Sequence, residues 1–445
     1  MIVRCTFIKG FVCLVLAGFF QAGCTLREGQ VKSVELMTGD LPQSYVVYQR
    51  RGRTVVRGCI DNHILVQDKR ADVALQTVMR TLESQGGGKA RIEPGVYIIE
   101  SPVRIPSQVT VAGSGRATVL KLGQANTAGV VFMVHTKEAV VVSDLTLQGI
   151  SRSDVSAGIV LHHCGDCEVR NIYARDFSGY GIWVRNNSFM NKLLWNTTSG
   201  NDKAGTYLQS NTGKGRGGDY VPNLITGCTS IGENGHAFEL DKSLCVNIVG
   251  CQAYQPKGHG FYIRNGSNST LLTGSRCFQG FKNAVLARRS FELNISSNIF
   301  CWNRGHGIEL DFVVWAAIVG NEVIDSGGTI LPQKYGIYMH RDTRSVQVTG
   351  NTIFNWEGHT PMICGVYEAE DCRDNQITDN IINYYTDNAV RSAGTNTTVS
   401  SVKEIPKFYS HPEAGAFAPS KDKPKVKTPA FTTQRVDKFL ELTRH

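Results

Sequence analysis

Outside its N-terminus, the 445-residue chain contains no apolar run long enough to cross a bilayer, which excludes a helical membrane protein with several spans. Gly113-Ser114-Gly115 lacks both the third glycine and the following helix of a phosphate-cradling loop, so a plain turn is expected there. The single CxxC, Cys164 to Cys167, has no second pair. That is too little for a structural zinc site, and a local disulfide or two plain thiols are expected instead. The net charge of +9 comes with no nucleic-acid-binding motif, so no nucleic-acid partner is expected.

What the chain does contain is a repeat. AFELD, GFYIR, AVLAR and GIELD open at Ala237, Gly260, Ala284 and Gly307, at intervals of 23, 24 and 23 residues. Phe238 and Leu240, Phe261 and Ile263, Val285 and Ala287, and Ile308 and Leu310 alternate with Glu239 and Asp241, Tyr262 and Arg264, Leu286 and Arg288, and Glu309 and Asp311. A strand alternates faces with period two, so each run is expected to be a strand with the first set turned inward. Further copies open at Gly158, Gly181, Gly205, Gly336 and Gly365. A fixed period of this size marks a stacked repeat, and the insertions at 211–223 and 326–334 should be loops beside the stack.

A second column has the same phase: Asn171, Asn196, Cys228, Cys251, Ser275, Asn298, Asn321, Asn351 and Asn380. Amides stacked at one turn can hydrogen-bond from coil to coil, satisfying polar groups that a core would otherwise strand. Before the repeat, residues 71–84 carry Ala71, Leu75, Val78 and Leu82 on one helical face, and Gly86-Gly87-Gly88 ends the pattern. This helix is expected to cap the stack. The strands at 45–49 and 53–60 belong either to that end cover or to a small β unit of their own.

After the helix come Pro94, Gly95 and Tyr97, then Ile105, Pro106, Ser107, Val109, Thr110, Gly113 and Gly115. With the coils that follow, this segment resembles the right-handed parallel β-helix of the pectin-lyase-like superfamily, over roughly residues 72–388. The resemblance implies an all-β fold, a single-stranded parallel β-helix solenoid with an N-terminal capping helix. The expected divisions are a signal at 1–24, an extension at 25–70, the β-helix at 71–393 and an extended tail at 394–445.

The signal reading rests on Arg4 and Lys9 before an apolar stretch at 10–20. Gln21-Ala22-Gly23-Cys24 then resembles a bacterial lipoprotein box, with Gln21 where an aliphatic residue is usual. The resemblance implies export, with a lipid anchor at Cys24 in the cell envelope as the only membrane contact, or else a secreted or periplasmic protein. The positive charge left after signal removal points to an anionic partner such as an acidic polysaccharide.

The outward strand positions line up as two columns. One is Val160, Trp183, Tyr207, Glu239, Tyr262, Leu286, Glu309, Tyr338, Tyr367; the other is His162, Arg185, Gln209, Asp241, Arg264, Arg288, Asp311, His340, Ala369. They hold five large aromatics and no lysine. Aromatic rings stack on sugar faces and arginine forks grip carboxylates, so a carbohydrate groove is expected. Trp183, Arg185, Tyr207, His259, Tyr262, Arg264, Arg288, Tyr338 and His340 are its candidate binding residues.

Glu239 with Asp241, and Glu309 with Asp311, are the candidate catalytic pairs, each ~6.6 Å apart along its strand. An inverting glycosidase needs carboxyls ~6.5–9.5 Å apart. Polygalacturonase-type hydrolases carry N-T-D, D-D, G-H-G and R-I-K in successive coils. Gly258-His259-Gly260 and the stretch 283–288 resemble the last two, but Gly235-His236 and Asp202-Lys203-Ala204 stand where the carboxylates belong. The scaffold is similar and the site is different or shifted.

Hydrolysis of an acidic polysaccharide by Glu239 and Asp241 is the first expectation, and it needs no cofactor. The second is a lyase or uronate epimerase using Arg264, Arg288, Tyr262 and His340, with calcium as a candidate cofactor. The third is a non-catalytic glycan-binding surface lipoprotein.

Overall fold

The structure, a computed structural model, describes residues 44–215, 218–326, 334–355, 362–383 and 385–405. Cys24, Arg216, the signal segment and most of the expected tail lie outside these residues.

Strands β1 (Ser44–Arg50), β2 (Arg53–Gly58) and β3 (Ile64–Asp68) form an antiparallel meander. Arg51 and Gly52 both have positive φ, the geometry of a tight two-residue hairpin. The meander is not separate from the stack, because β1 pairs in parallel with β4 (Gly88–Ile92), Val46 opposite Arg91. The helix α1 (Ala71–Ser84) buries Ala71, Ala74, Leu75, Val78, Met79 and Leu82 against these first strands, and so closes the N-terminal end of the core.

Beyond β4, β5 (Gly95–Ile99) and β6 (Val103–Arg104), each strand pairs in parallel with its equivalent one coil later. Phe238 lies opposite Phe261, Phe261 opposite Val285, Val285 opposite Ile308, and Ile308 opposite Ile337. All of these are fully buried, and the Phe238 and Phe261 rings stack at 5.2 Å. The small residue opening each strand is required by close coil approach. A Cβ on Gly307 would sit 2.3 Å from Val323 Cγ1 and 2.6 Å from the Gly336 carbonyl.

The polar column is an internal ladder. Backbone N–H groups of Ser275, Asn298, Asn321 and Asn351 donate to Asn298, Asn321, Asn351 and Asn380 Oδ1 at 2.9–3.1 Å. Asn171 is a correction: it is exposed at positive φ and bonds to Asp144, while the Ile172 N–H donates to Asn196. Other turns carry ladders of their own, including Ser188–Asn211 and Asn191–Asn223. The ten cysteines of the described residues are free thiols, so no disulfide joins Cys164 to Cys167. Cys228 and Cys251 are buried in the ladder column.

Strand pairing runs past the expected limit at 393. Thr398–Ser400 and Lys403–Ile405 continue the coils beside Gln376–Thr378 and Ile381–Asn383. Thr398, Val399, Ser400, Lys403 and Glu404 are exposed, so the apolar period that marks earlier coils is absent there.

One ladder position holds a carboxyl. Glu233 is fully buried, accepts from the Asn201 N–H at 2.6 Å and from Ser230 Oγ at 3.0 Å, and is pushed by burial up to about 7. Its raised value means that the folded state holds a proton which the unfolded chain has already released. Stability should therefore fall as pH rises from about 4.5 to about 7 and stay lower above that, by ~3 kcal/mol. Glu233→Gln keeps the acceptor oxygen and should remove this slope, raising the denaturation midpoint at pH 8 but not at pH 4. An unchanged slope would place the titrating group elsewhere.

Candidate functional site

Strand register confirms the alignment of the outward columns. Trp183 lies opposite Tyr207, then come Glu239, Tyr262, Leu286, Glu309, Tyr338 and Tyr367 in order, with Arg185, Gln209, Asp241, Arg264, Arg288, Asp311 and His340 beside them. A third column, built from the residue before each small residue, adds Tyr180, His236, His259, Asn283, His306 and Tyr335. Three groups of side chains result.

The first is aromatic. Tyr180 stacks on Tyr207 at 4.6 Å and lies 5.0 Å from Trp183, and the Arg185 guanidinium sits 4.4 Å over the Trp183 ring. Trp183 Nε1 and Arg185 Nε are both shielded and have no protein acceptor.

The second group centres on Arg264. Its Nε lies 2.9 Å from Glu239 Oε1, and its Nη2 lies 2.8 Å from the same oxygen and 2.9 Å from Asp241 Oδ2. Asp241 also accepts from Asn265 at 2.9 Å and from the Tyr207 hydroxyl at 3.3 Å. Burial raises the Glu239 carboxyl, and Arg264 partly offsets that. One guanidinium thus occupies the space between the expected acid and base. His236 and His259 stack at 5.3 Å beside Tyr262, 4.8 Å and 5.3 Å from it respectively. His236 Nδ1 accepts the His259 N–H at 3.0 Å, and burial lowers the two rings to about 4 and about 3. Both are therefore neutral at physiological pH and act as a wall rather than as cations.

The third group lies around Glu309. His340 Nε2 is 3.0 Å from Glu309 Oε1, and the Asn283 amide donates to Oε2 at 2.5 Å. Burial works against this carboxylate, but the His340 hydrogen bond, His306 and Asn283 together hold it below the usual range. The His340 ring stacks on Tyr338 at 4.3 Å with an interplanar angle of 1°. Burial pushes the Tyr338 phenol up to about 12. Beside it, Asp311 Oδ2 holds both Arg288 Nε at 3.0 Å and Arg341 Nη1 at 3.1 Å. The second expected pair is therefore split between different partners, Glu309 engaging a histidine and Asp311 two arginines, whereas Glu239 and Asp241 share Arg264.

Asn283, Arg341, Tyr180 and Tyr335 were not among the sequence candidates. Moving the repeat alignment back by one position would have found three of them; Arg341 lies just past its strand. Lys214, in the first insertion, lies over Tyr220 at 5.5 Å. Among the described residues, no group of three His, Cys, Asp or Glu is placed to hold a metal ion.

A family model described as the right handed beta helix region matches residues 157–353. This decides the hand of the coil. The fold is a right-handed parallel β-helix. No curated protein matches the chain. Among solved structures, the A-module of a mannuronan C-5 epimerase from Azotobacter vinelandii is similar to this β-helix with a TM-score of 0.65 at 18% identity, covering 76% of this chain and 96% of that one. A periplasmic alginate epimerase is similar with a TM-score of 0.52 at 12% identity, over 70% and 79% of the two chains. An alginate lyase in complex with a trisaccharide is similar with a TM-score of 0.53 at 11% identity, over 74% and 83%. At these identities the likeness establishes the parallel β-helix architecture alone.

Proposed function

We propose that the protein is an exported enzyme that acts on an acidic polysaccharide by removing the C5 proton of a uronic acid, as a lyase or an epimerase. The observation that carries this reading is the contact of His340 with Glu309, stacked on Tyr338 and flanked by two arginines on one aspartate. With Nε2–H donated to Glu309, His340 Nδ1 keeps a lone pair for the proton, and the Glu309 carboxylate stabilises the imidazolium that forms. Asp311 cancels only one of the two guanidinium charges, so Arg288 and Arg341 retain a net positive charge for the substrate carboxylate. Tyr338 keeps its proton at neutral pH and serves as the acid. It protonates the departing C4 oxygen in an elimination; in an epimerisation the new proton reaches the opposite face of C5 from solvent, because Tyr338 lies against the base on the same side. The structurally similar alginate epimerases and lyase support the substrate class.

Hydrolysis by Glu239 and Asp241 would require Arg264 to leave the space where a water must sit. The test is incubation with alginate and polygalacturonate in heavy water. Unsaturated ends absorbing in the ultraviolet are expected from a lyase, and deuterium at C5 without chain cleavage from an epimerase. New reducing ends without absorbance or deuterium would return the site to Glu239 and Asp241. No change in any substrate would leave a binding protein and end the enzyme reading.

A further inference from the structure

Positive charge is unevenly distributed. Residues 44–137 carry 13 Lys and Arg against 6 Asp and Glu, whereas residues 138–405 carry 22 against 25. The basic end also holds a cavity of about 740 Å3 between α1 and the first strands of the outward face. Arg104 pairs with Met133, and Met133 with Val160, so the cavity is the N-terminal end of the Trp183–Glu309 column. Beyond β6 the face has no further coil, and α1 forms the wall.

This wall is fastened. Gln76 accepts the Arg104 N–H at 2.8 Å and donates to the Arg104 carbonyl at 3.2 Å, while Lys137 and Glu83 tie the other rim at 2.8 Å. Arg80 and Arg104 point exposed guanidiniums at the cavity, and neither forms an ion pair among the described residues. Met79, Ile105 and Met133 supply an apolar floor.

We propose that this cavity is an anchoring subsite for a negatively charged sugar of a polymer whose reacting residue lies at His340. The inference rests on the acidic-polysaccharide reading of the face. Eight coil steps of ~4.8 Å separate Met133 from Tyr338 on the His340 strand, so the subsite lies ~38 Å from the reaction and engages only a chain of several sugars. Half-buried Trp183, backed by the buried Tyr180 and Tyr207 rings, lies on the path. The cavity gives the enzyme a preference for long substrates through two cations remote from the chemistry.

The test is direct binding of alginate and polygalacturonate, and of trisaccharides made from each, to the wild-type protein and to the R80A/R104A double variant. The helix is held by Gln76 and the Arg104 backbone, so the variant should melt at the wild-type temperature. Polymer Kd should rise roughly tenfold at low salt, and the difference should shrink at high salt. Trisaccharide Kd should not change. An unchanged polymer Kd overturns the proposal, as does an equal loss for trisaccharide, which would mean diffuse attraction. If binding to anionic phospholipid vesicles falls while polymer binding holds, the cavity takes a lipid phosphate and the proposal fails. Polymer binding that depends on the two arginines without any turnover would sink the C5 reaction but leave the subsite standing.

Discussion

Replacing His340 by Gln is expected to lower turnover of an acidic polysaccharide by about 10²- to 10⁴-fold, with little change in KM. Gln can still reach Glu309, so the fold and the carboxylate's partner are preserved while the proton acceptor is lost. Arg288→Ala should behave differently: in the proposed reaction Arg288 binds the substrate carboxylate, so its loss should raise KM and lower kcat together. Glu239→Gln should leave the rate near wild type, because that carboxylate is already occupied by Arg264. Steady-state kinetics on one substrate separates these variants. A His340→Gln enzyme that keeps more than about a tenth of its rate, beside an inactive Glu239→Gln enzyme, would reverse the assignment and favour hydrolysis.

Asn321→Ala should destabilise the β-helix by about 3–5 kcal/mol. Asn321 is fully buried and sits mid-ladder. Its Oδ1 accepts from Asn298 N and Nδ2 at 3.1 and 2.9 Å, and its Nδ2 donates to the Ile295 carbonyl at 2.8 Å and to Asn351 Oδ1 at 2.9 Å. Truncation strands several buried groups at once, each costing about 1–3 kcal/mol when no water replaces the amide. Asn171→Gly is the matching control. Asn171 is exposed at positive φ, and its change should stay within about 0.5 kcal/mol. Urea denaturation of the two variants tests the contrast, and equal midpoints would mean that the ladder adds nothing to stability.

The coil period, the inward residues and the ladder were legible because they are local and repetitive. Each strand shows its own alternation, and Asn298, Asn321, Asn351 and Asn380 recur in one phase. The Asn171 misplacement shows the limit of that signal: with Asn171 next to Ile172, a one-residue shift in the turn put the polar residue outside. The last coils were missed because Thr398 to Ser400 bury no apolar face, and backbone pairing alone leaves no mark on a sequence.

The columns of candidate side chains also followed from the repeat, since coil register is set by the same apolar positions. Their partners did not. Arg264 grips two carboxylates one coil before it, Glu309 reaches Asn283 and His340 on opposite sides, and Asp311 collects Arg288 and Arg341. These contacts join residues 23 to 31 positions apart, and a long side chain standing on a sheet can turn toward either neighbouring coil or toward solvent. The sequence by itself determined which residues share the face. Only the tertiary structure decided which charges cancel and which stay free, because that choice is made across coils by side-chain rotamers and burial, and neither leaves a periodic trace in the chain.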